Sequence, residues 1–254
     1  MIYSDMDYAV NDNVMSEIVE LQNKLSSSNA PIELKEQTMR TIQRLERMAK
    51  LGNYSSEFES VDKYVDWITR IPWGIVSKDN LDIQNARQMM DSTHYGMNTV
   101  KEMILDYLAV MQLKNIQKAR GINMGDSSTQ IPTLLFVGLQ GVGKTTIAQS
   151  IAKAMGRKFA RISLGAVGDV RTLRGVPRHE PDAEPGQVIK SLVRTGTMNP
   201  VILIDEIEKS SQNKGAQNDM MAALLEILDP EQNSAFTDHY IDYPVDLSQV
   251  FFIC

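Results

Sequence analysis

Apolar residues recur at helical spacing through the first half of the chain and in short unbroken runs through the second. Ile18, Leu21 and Leu25 line one face of a helix expected over residues 14–26. The polar, acidic residues 1–13 before it are expected to fray. After a break at 26–30, Pro31 suits a first helical position, where its missing N–H costs nothing. Leu34, Thr38, Ile42, Leu45, Met48 and Leu51 mark one face of a second helix, which Gly52 would end. Ser56 with Glu59 reads as a capping box for a third helix, carrying Val61, Tyr64, Val65 and Ile68 and stopped by Pro72. A short helix is predicted over 82–90. A long one is predicted over 98–119, with Val100, Ile104, Tyr107, Leu108 and Met111 on one face. The Gly/Ser/Asp-rich stretch 121–130 reads as an exposed loop.

The pattern then changes. Thr133-Leu-Leu-Phe-Val137 and Phe159-Ala-Arg-Ile-Ser-Leu164 read as strands. Val201-Ile-Leu-Ile204 and Val250-Phe-Phe-Ile-Cys254 are continuous apolar runs, the mark of strands buried on both faces of a parallel sheet. Helices are predicted over 146–155, 187–194 and 220–228. The long connection 165–186, rich in glycine and proline, reads as a functional or mobile loop.

One motif sits at the change of pattern. Gly138-Leu-Gln-Gly-Val-Gly-Lys-Thr145 is G-x-x-x-x-G-K-T, between a predicted strand and a predicted helix, as a phosphate-binding loop requires. Gly138, Leu139, Gln140, Gly141, Val142 and Gly143 would turn backbone N–H groups onto phosphate oxygens, and the following helix would add its positive end. Lys144 would set a cation on the β- and γ-phosphates, and Thr145, followed by Thr146, would ligate Mg²⁺. Farther on, Asp205 and Glu206 stand at the C-terminal end of a buried strand, where ligands of open α/β sheets gather. Asp205 would hold Mg²⁺ through water, and Glu206 would orient or deprotonate the attacking water. A nucleoside triphosphate with Mg²⁺ is therefore the expected ligand pair.

Composition narrows the class. The chain has 254 residues, 43% hydrophobic and 23% charged, as in ordinary globular proteins. A net charge of −6 argues against a broad nucleic-acid surface. Cys254 is the single cysteine, so a disulfide framework is not expected and a reducing cytoplasm fits. No basic segment leads into an apolar core at the start, and no apolar run approaches the roughly 20 residues that span a bilayer. His94, His179 and His239 are scattered without zinc spacing. The S-x-x-K matches Ser150–Lys153 and Ser211–Lys214 fall on the phosphate helix and in a polar loop, and G-x-S-x-G is absent, so no hydrolytic nucleophile is legible.

Several longer stretches carry a resemblance. Leu45-Glu-Arg-Met48, Val65-Asp-Trp-Ile-Thr-Arg-Ile-Pro-Trp-Gly74, His94-Tyr-Gly96 and Tyr107-Leu-Ala-Val110 resemble the Lon proteases. So do Arg174-Gly175, Pro185-Gly186, Asp205-Glu-Ile-Glu-Lys209, Leu224-Leu-Glu-Ile-Leu-Asp-Pro-Glu-Gln-Asn233 and Phe236-Thr-Asp-His-Tyr240. The resemblance covers residues 17–254. It implies an α/β fold: an AAA+ P-loop parallel sheet flanked by helices over 132–254, reached through connecting helices over 72–131 and preceded by an all-helical arm over 14–71. It also implies a homo-oligomeric, hexameric ring that spends ATP to unfold protein substrates and thread them into a peptidase chamber. His94, Tyr95 and Gly96 match the segment beside the adenine; read from the residues alone, a Tyr-Gly turn before a helix is structural more often than not.

The sequence departs from the family pattern in two ways. The aromatic–aliphatic pair of the substrate-gripping pore loop falls on Glu180 and Pro181. The N-terminal β-rich domain, the sensor asparagine, the arginine finger, the last strand, the helical lid and the serine–lysine peptidase are expected outside residues 1–254. Two other readings fit a phosphate loop: a DNA-associated AAA+ motor, and a truncated nucleotide-binding regulator that caps AAA+ rings.

Overall fold

Strand β2 (Val201–Asp205) is buried along Val201–Ile204 and lies between two parallel neighbours, β1 (Phe159–Ser163) and β5 (Phe251–Ile253). The computed structural model describes residues 2–51, 55–120, 133–137, 143–164, 169–207 and 214–254. In the sheet, Phe159 pairs with Val201 and Ser163 with Asp205, while Val201 faces Phe251 and Leu203 faces Ile253. The predicted strand at 133–137 appears as a parallel bridge from Leu134 to Ile253. Its N–H groups at Leu134 and Phe136 donate to Phe252 and Cys254, so it extends the ladder beyond β5. The order is therefore β1, β2, β5 and the 134–136 segment, all parallel.

Alternation along each strand divides two apolar layers. Val201, Leu203, Phe251 and Ile253 face α4 (Ile83–Thr93), α5 (Asn98–Ala119) and α6 (Lys144–Met155) through Ala86, Met90, Ile104, Leu108, Ile147 and Ile151. Ala160, Ile162, Ile202, Ile204 and Phe252 face the other way. There they meet α8 (Gln187–Thr195), α9 (Lys214–Leu228) and a short antiparallel hairpin, β3 (Phe236–Thr237) with β4 (Pro244–Val245). Such runs stay in water only if helices cover both faces.

The arm joins the second layer. Helices α1 (Ile2–Ser27), α2 (Ile32–Ala49) and α3 (Ser55–Arg70) share one continuous apolar cluster with that face of the sheet. Tyr64 on α3 donates to the Ile241 carbonyl at 3.0 Å, and Trp73 stacks edge-on against Tyr243 at 6.2 Å.

Some element ends differ from expectation. Helix α1 starts at Ile2, so the stretch expected to fray continues as helix. Pro31 is the N-cap of α2 rather than its first residue, because its carbonyl already accepts the Lys35 N–H. The buried stripe of α2 ends on Ala49, leaving Leu51 81% exposed, and Gly52 lies outside the described residues. Ser56 sits inside α3, which opens at Ser55, so it is not the cap. The loop after β1 holds one helical turn, α7 (Arg171–Arg174), and α9 begins at Lys214. Residues 121–130 lie outside the described residues.

Between arm and sheet, residues 75–80 are held by polar contacts. Met198 N–H donates to the Ile75 carbonyl, and Asn80 N–H to that of Met155. The Asn199 amide bonds both the backbone and the hydroxyl of Ser77 at 2.8–3.0 Å. Asp79 receives two bonds from Arg157, at 2.7 and 2.8 Å, and Arg157 also donates to the Gln249 carbonyl. The Arg157 side chain is 2% exposed and that of Asp79 17%. Removing one member of such a pair leaves a buried charge without its partner. Arg157→Ala is expected to lower unfolding stability by about 3 kcal/mol or more, read by urea denaturation; a loss under about 1 kcal/mol would show that this clamp contributes little.

Candidate functional site

The C-terminal ends of the parallel strands converge on one edge of the sheet, the edge where the loop after residue 137 leads into α6. Residues Gly138, Leu139, Gln140, Gly141 and Val142 lie outside the described residues. Gly143, the cap of α6, is described. It adopts φ +94°, a left-handed backbone that L side chains rarely take, and a Cβ there would stand 3.2 Å from Thr146 Oγ1. Lys144 and Thr145 follow, half-buried, as the first two residues of α6, with Thr146 exposed beside them. Thr146 donates its hydroxyl to the Gly143 carbonyl at 2.8 Å, closing the first turn.

At the end of β2 the apolar cover stops and Asp205 and Glu206 emerge half-buried. Asp205 accepts the Glu206 N–H at 3.0 Å and pairs with Arg161 at 2.7 Å. Ser163 donates to Glu206 Oε2 at 3.1 Å. Glu206 has φ +61°, left-handed backbone at a residue with a full side chain. Such a conformation costs on the order of 1 kcal/mol or more and clusters at functional positions. Ser163 and Arg161 had no signal in the sequence: they reach Asp205 and Glu206 only through the β1–β2 register.

His94 is brought to the same place from 52 residues away. Its Nε2 lies 3.1 Å from Thr146 Oγ1, and its Nδ1 lies 3.0 Å from Thr93 Oγ1. Burial, and then the Lys101 ammonium, lower its pKa below the usual histidine value. Lys101, nearly buried, bonds Asp91 and the His94 carbonyl at 2.7 Å each, fixing the turn between α4 and α5. Gly96 completes that turn at φ +73°, and Tyr95 projects fully into solvent.

Glu180 and Pro181 lie elsewhere, in the loop between α7 and α8. Glu180 pairs with Arg171, and Pro181 is exposed.

Hard oxygen donors at this edge suit magnesium: the Thr145 hydroxyl opens α6, and the Asp205 carboxylate keeps lone pairs beyond its bonds to Arg161 and Glu206. Among the described residues no group of three or more His, Cys, Asp or Glu could by itself hold a metal ion. The site fits a cation shared with phosphate oxygens rather than an all-protein cage. Nor is any described helix long and apolar enough to cross a membrane.

The comparisons with known proteins fall on this arrangement. Residues 134–254 match the family described as "ATPase family associated with various cellular activities (AAA)". The chain is 45% identical over 243 residues to the Lon protease of Roseiflexus castenholzii, covering 96% of this chain and 29% of that protein. It is 48% identical over 212 residues to the human mitochondrial Lon protease homolog, covering 82% of this chain and 21% of that protein. "Lon protease 2" of Thermus thermophilus is 44% identical over 238 residues, with 94% of this chain and 29% of that protein covered.

The chain belongs to the Lon family. It is an AAA+ ATPase module of that family, and it spans less than a third of the length of these relatives. The readings as a ring-capping regulator or a DNA motor are not favoured. Of the residues picked from the sequence, His94 meets Thr146 at the start of α6, and Asp205 and Glu206 stand at the end of β2.

Because the left-handed backbone at Glu206 is strained, Glu206→Gly is expected to leave unfolding stability unchanged or to raise it by up to about 1 kcal/mol, although it deletes the bond from Ser163. Thermal unfolding of both forms tests this; a clear loss of stability would mean that the carboxylate contacts outweigh the strain.

Proposed function

We propose that this module binds ATP with Mg²⁺ at the edge formed by the α6 N-terminus and the end of β2, and that hydrolysis there drives polypeptide unfolding for proteolysis by the whole protein. The observation that carries the reading is Glu206, held in left-handed backbone beside Asp205 at the end of the central strand. Strained backbone clusters at active sites, and a carboxylate at that edge can accept a proton from, or orient, a water.

Each residue then has one task. Backbone N–H groups of Gly138 to Gly143, with Leu139, Gln140, Gly141 and Val142 between, cradle the phosphates, and the left-handed Gly143 lets the loop turn into α6. Lys144 sets its ammonium against the β- and γ-phosphates. Thr145 and Asp205 would hold a magnesium ion, which when bound would neutralise charge on the phosphate oxygens. Glu206, aligned by Ser163, orients or deprotonates the attacking water. Thr146 ties this turn to His94, which together with Tyr95 and Gly96 forms the adenine side of the site. Arg161 holds the Asp205 carboxylate in place.

Support for the wider function comes from the resemblance and from the Lon relatives. On this reading six copies form a ring, a neighbouring subunit supplies an arginine to each site, and polypeptide substrates pass through the ring to a peptidase domain. The cytoplasm is the proposed place of action. Neither DNA nor a membrane is part of this reading.

Two variants divide binding from chemistry. In the intact protein, Glu206→Gln is expected to keep ATP affinity within about twofold while hydrolysis falls by roughly 10²-fold or more. Lys144→Ala is expected to weaken ATP binding itself. Equal steady-state ATPase rates for wild type and Glu206→Gln would remove Glu206 from the role of base.

A further inference from the structure

The loop 175–186 is a long irregular connection between α7 and α8, yet its two ends are held together. Gly175 follows α7 and Gly186 precedes α8. The two approach so closely that a Cβ on Gly186 would fall 1.9 Å from the Leu173 carbonyl oxygen and 2.9 Å from the Gly175 nitrogen. Beneath them sits Asp238, fully buried, from the turn after β3. A Cβ on Gly175 would stand 2.8 Å from its Oδ1.

That carboxylate accepts three backbone N–H groups: Gly186 at 2.7 Å on one oxygen, and Tyr240 at 2.8 Å and Ile241 at 3.1 Å on the other. Around it the loop stem is closed by further bonds. His239 N–H donates to the Arg174 carbonyl at 2.7 Å, and Val176 N–H to the Glu184 carbonyl at 2.9 Å. Glu184 pairs with Lys190 at 2.6 Å, and Arg174 pairs with Glu226 on α9. A buried carboxylate is costly unless its lone pairs are satisfied. Burial pushes the Asp238 pKa up to about 6, against the pull of these N–H groups and of Lys190. The fold places such a group here, bonded to the Gly186 end of the loop and to the turn after β3.

We infer that Asp238 is a positioning residue: its carboxylate bonds the Gly186 end of the 175–186 loop to the 238–241 turn, packs against Gly175 at the other end, and thereby sets where the loop's exposed residues stand. Those residues include His179, Pro181 and Asp182, with Arg178 lying 4.1 Å over the Tyr64 ring of the arm. The loop is thus referenced to the hairpin turn at both ends, to the arm through Arg178, and to α9 through Arg174 and Glu226. Its consequence for polypeptide handling rests on the function proposed above; the pinning itself does not.

Amide hydrogen exchange on the intact protein tests the pinning directly. In wild type, the Val176 and Gly186 amides are expected to exchange on the timescale of β2 amides, at least about tenfold more slowly than those of His179 and Asp182. Stem amides exchanging as fast as the tip would overturn the inference without any variant being made. Asp238→Asn keeps the shape but turns an N–H-bearing amide toward one of the donors, so stem protection should fall by about tenfold while β2 protection stays within about twofold. Unchanged stem protection, or equal loss in β2, would also overturn it. The same variant is expected to keep the unstimulated ATPase rate and to lose at least about fivefold of its stimulation by an unfolded polypeptide such as casein. Stimulation that survives a loosened stem would overturn the positioning role. If wild type shows no ATPase activity at all, the proposed function fails, and the exchange data alone decide the pinning.

Discussion

Burial of β2 on both faces is the constraint from which the rest of this module follows. Its residues Val201, Ile202, Leu203 and Ile204 are all at most 2% exposed, which requires a neighbour on each side and a helical layer above and below. Parallel pairing with β1 and β5 supplies the neighbours, and each parallel connection must cross over through helices that supply the layers. The same geometry sends every strand's C-terminal end to one edge. Asp205 and Glu206 follow where the apolar cover ends, so these two carboxylates sit at the boundary between packed interior and solvent.

A second theme is the use of a few buried polar clamps to place irregular backbone. Extended and looped segments expose N–H and C=O groups that must find partners. Residues 75–80 find them through Asn199 and the Arg157–Asp79 pair, while the 175–186 loop finds them through Asp238. These partners are 122, 78 and 52 residues apart along the chain. Apolar contact alone is non-directional and would fix neither segment to one register. The arm gains its orientation in a similar way, from the Tyr64 hydroxyl on Ile241 and the Trp73 and Tyr243 rings, laid over a shared apolar cluster.

Helices α5, α6 and α8 were legible from periodicity, and the strands at 159–163, 201–205 and 251–253 from short, largely apolar runs of strand length. Element ends were less so: Pro31 caps α2 instead of opening it, and the stripe of α2 shifts to Ala49, since caps and packing choose between adjacent turns. The phosphate-loop motif and the Asp205-Glu206 pair stand out in the sequence as candidates, because the chemistry proposed for them demands fixed residue types at fixed intervals. What the linear order could not contain was the set of partners: Ser163 on Glu206, Arg161 on Asp205, His94 on Thr146 and Asp238 under two glycines. Each depends on strand register or on the approach of two helices. Local propensity therefore determined which elements form and which residue types carry the chemistry. Long-range packing alone decided which side chains meet, because hydrogen bonds are directional and act over about 3 Å, a distance only the folded chain can set.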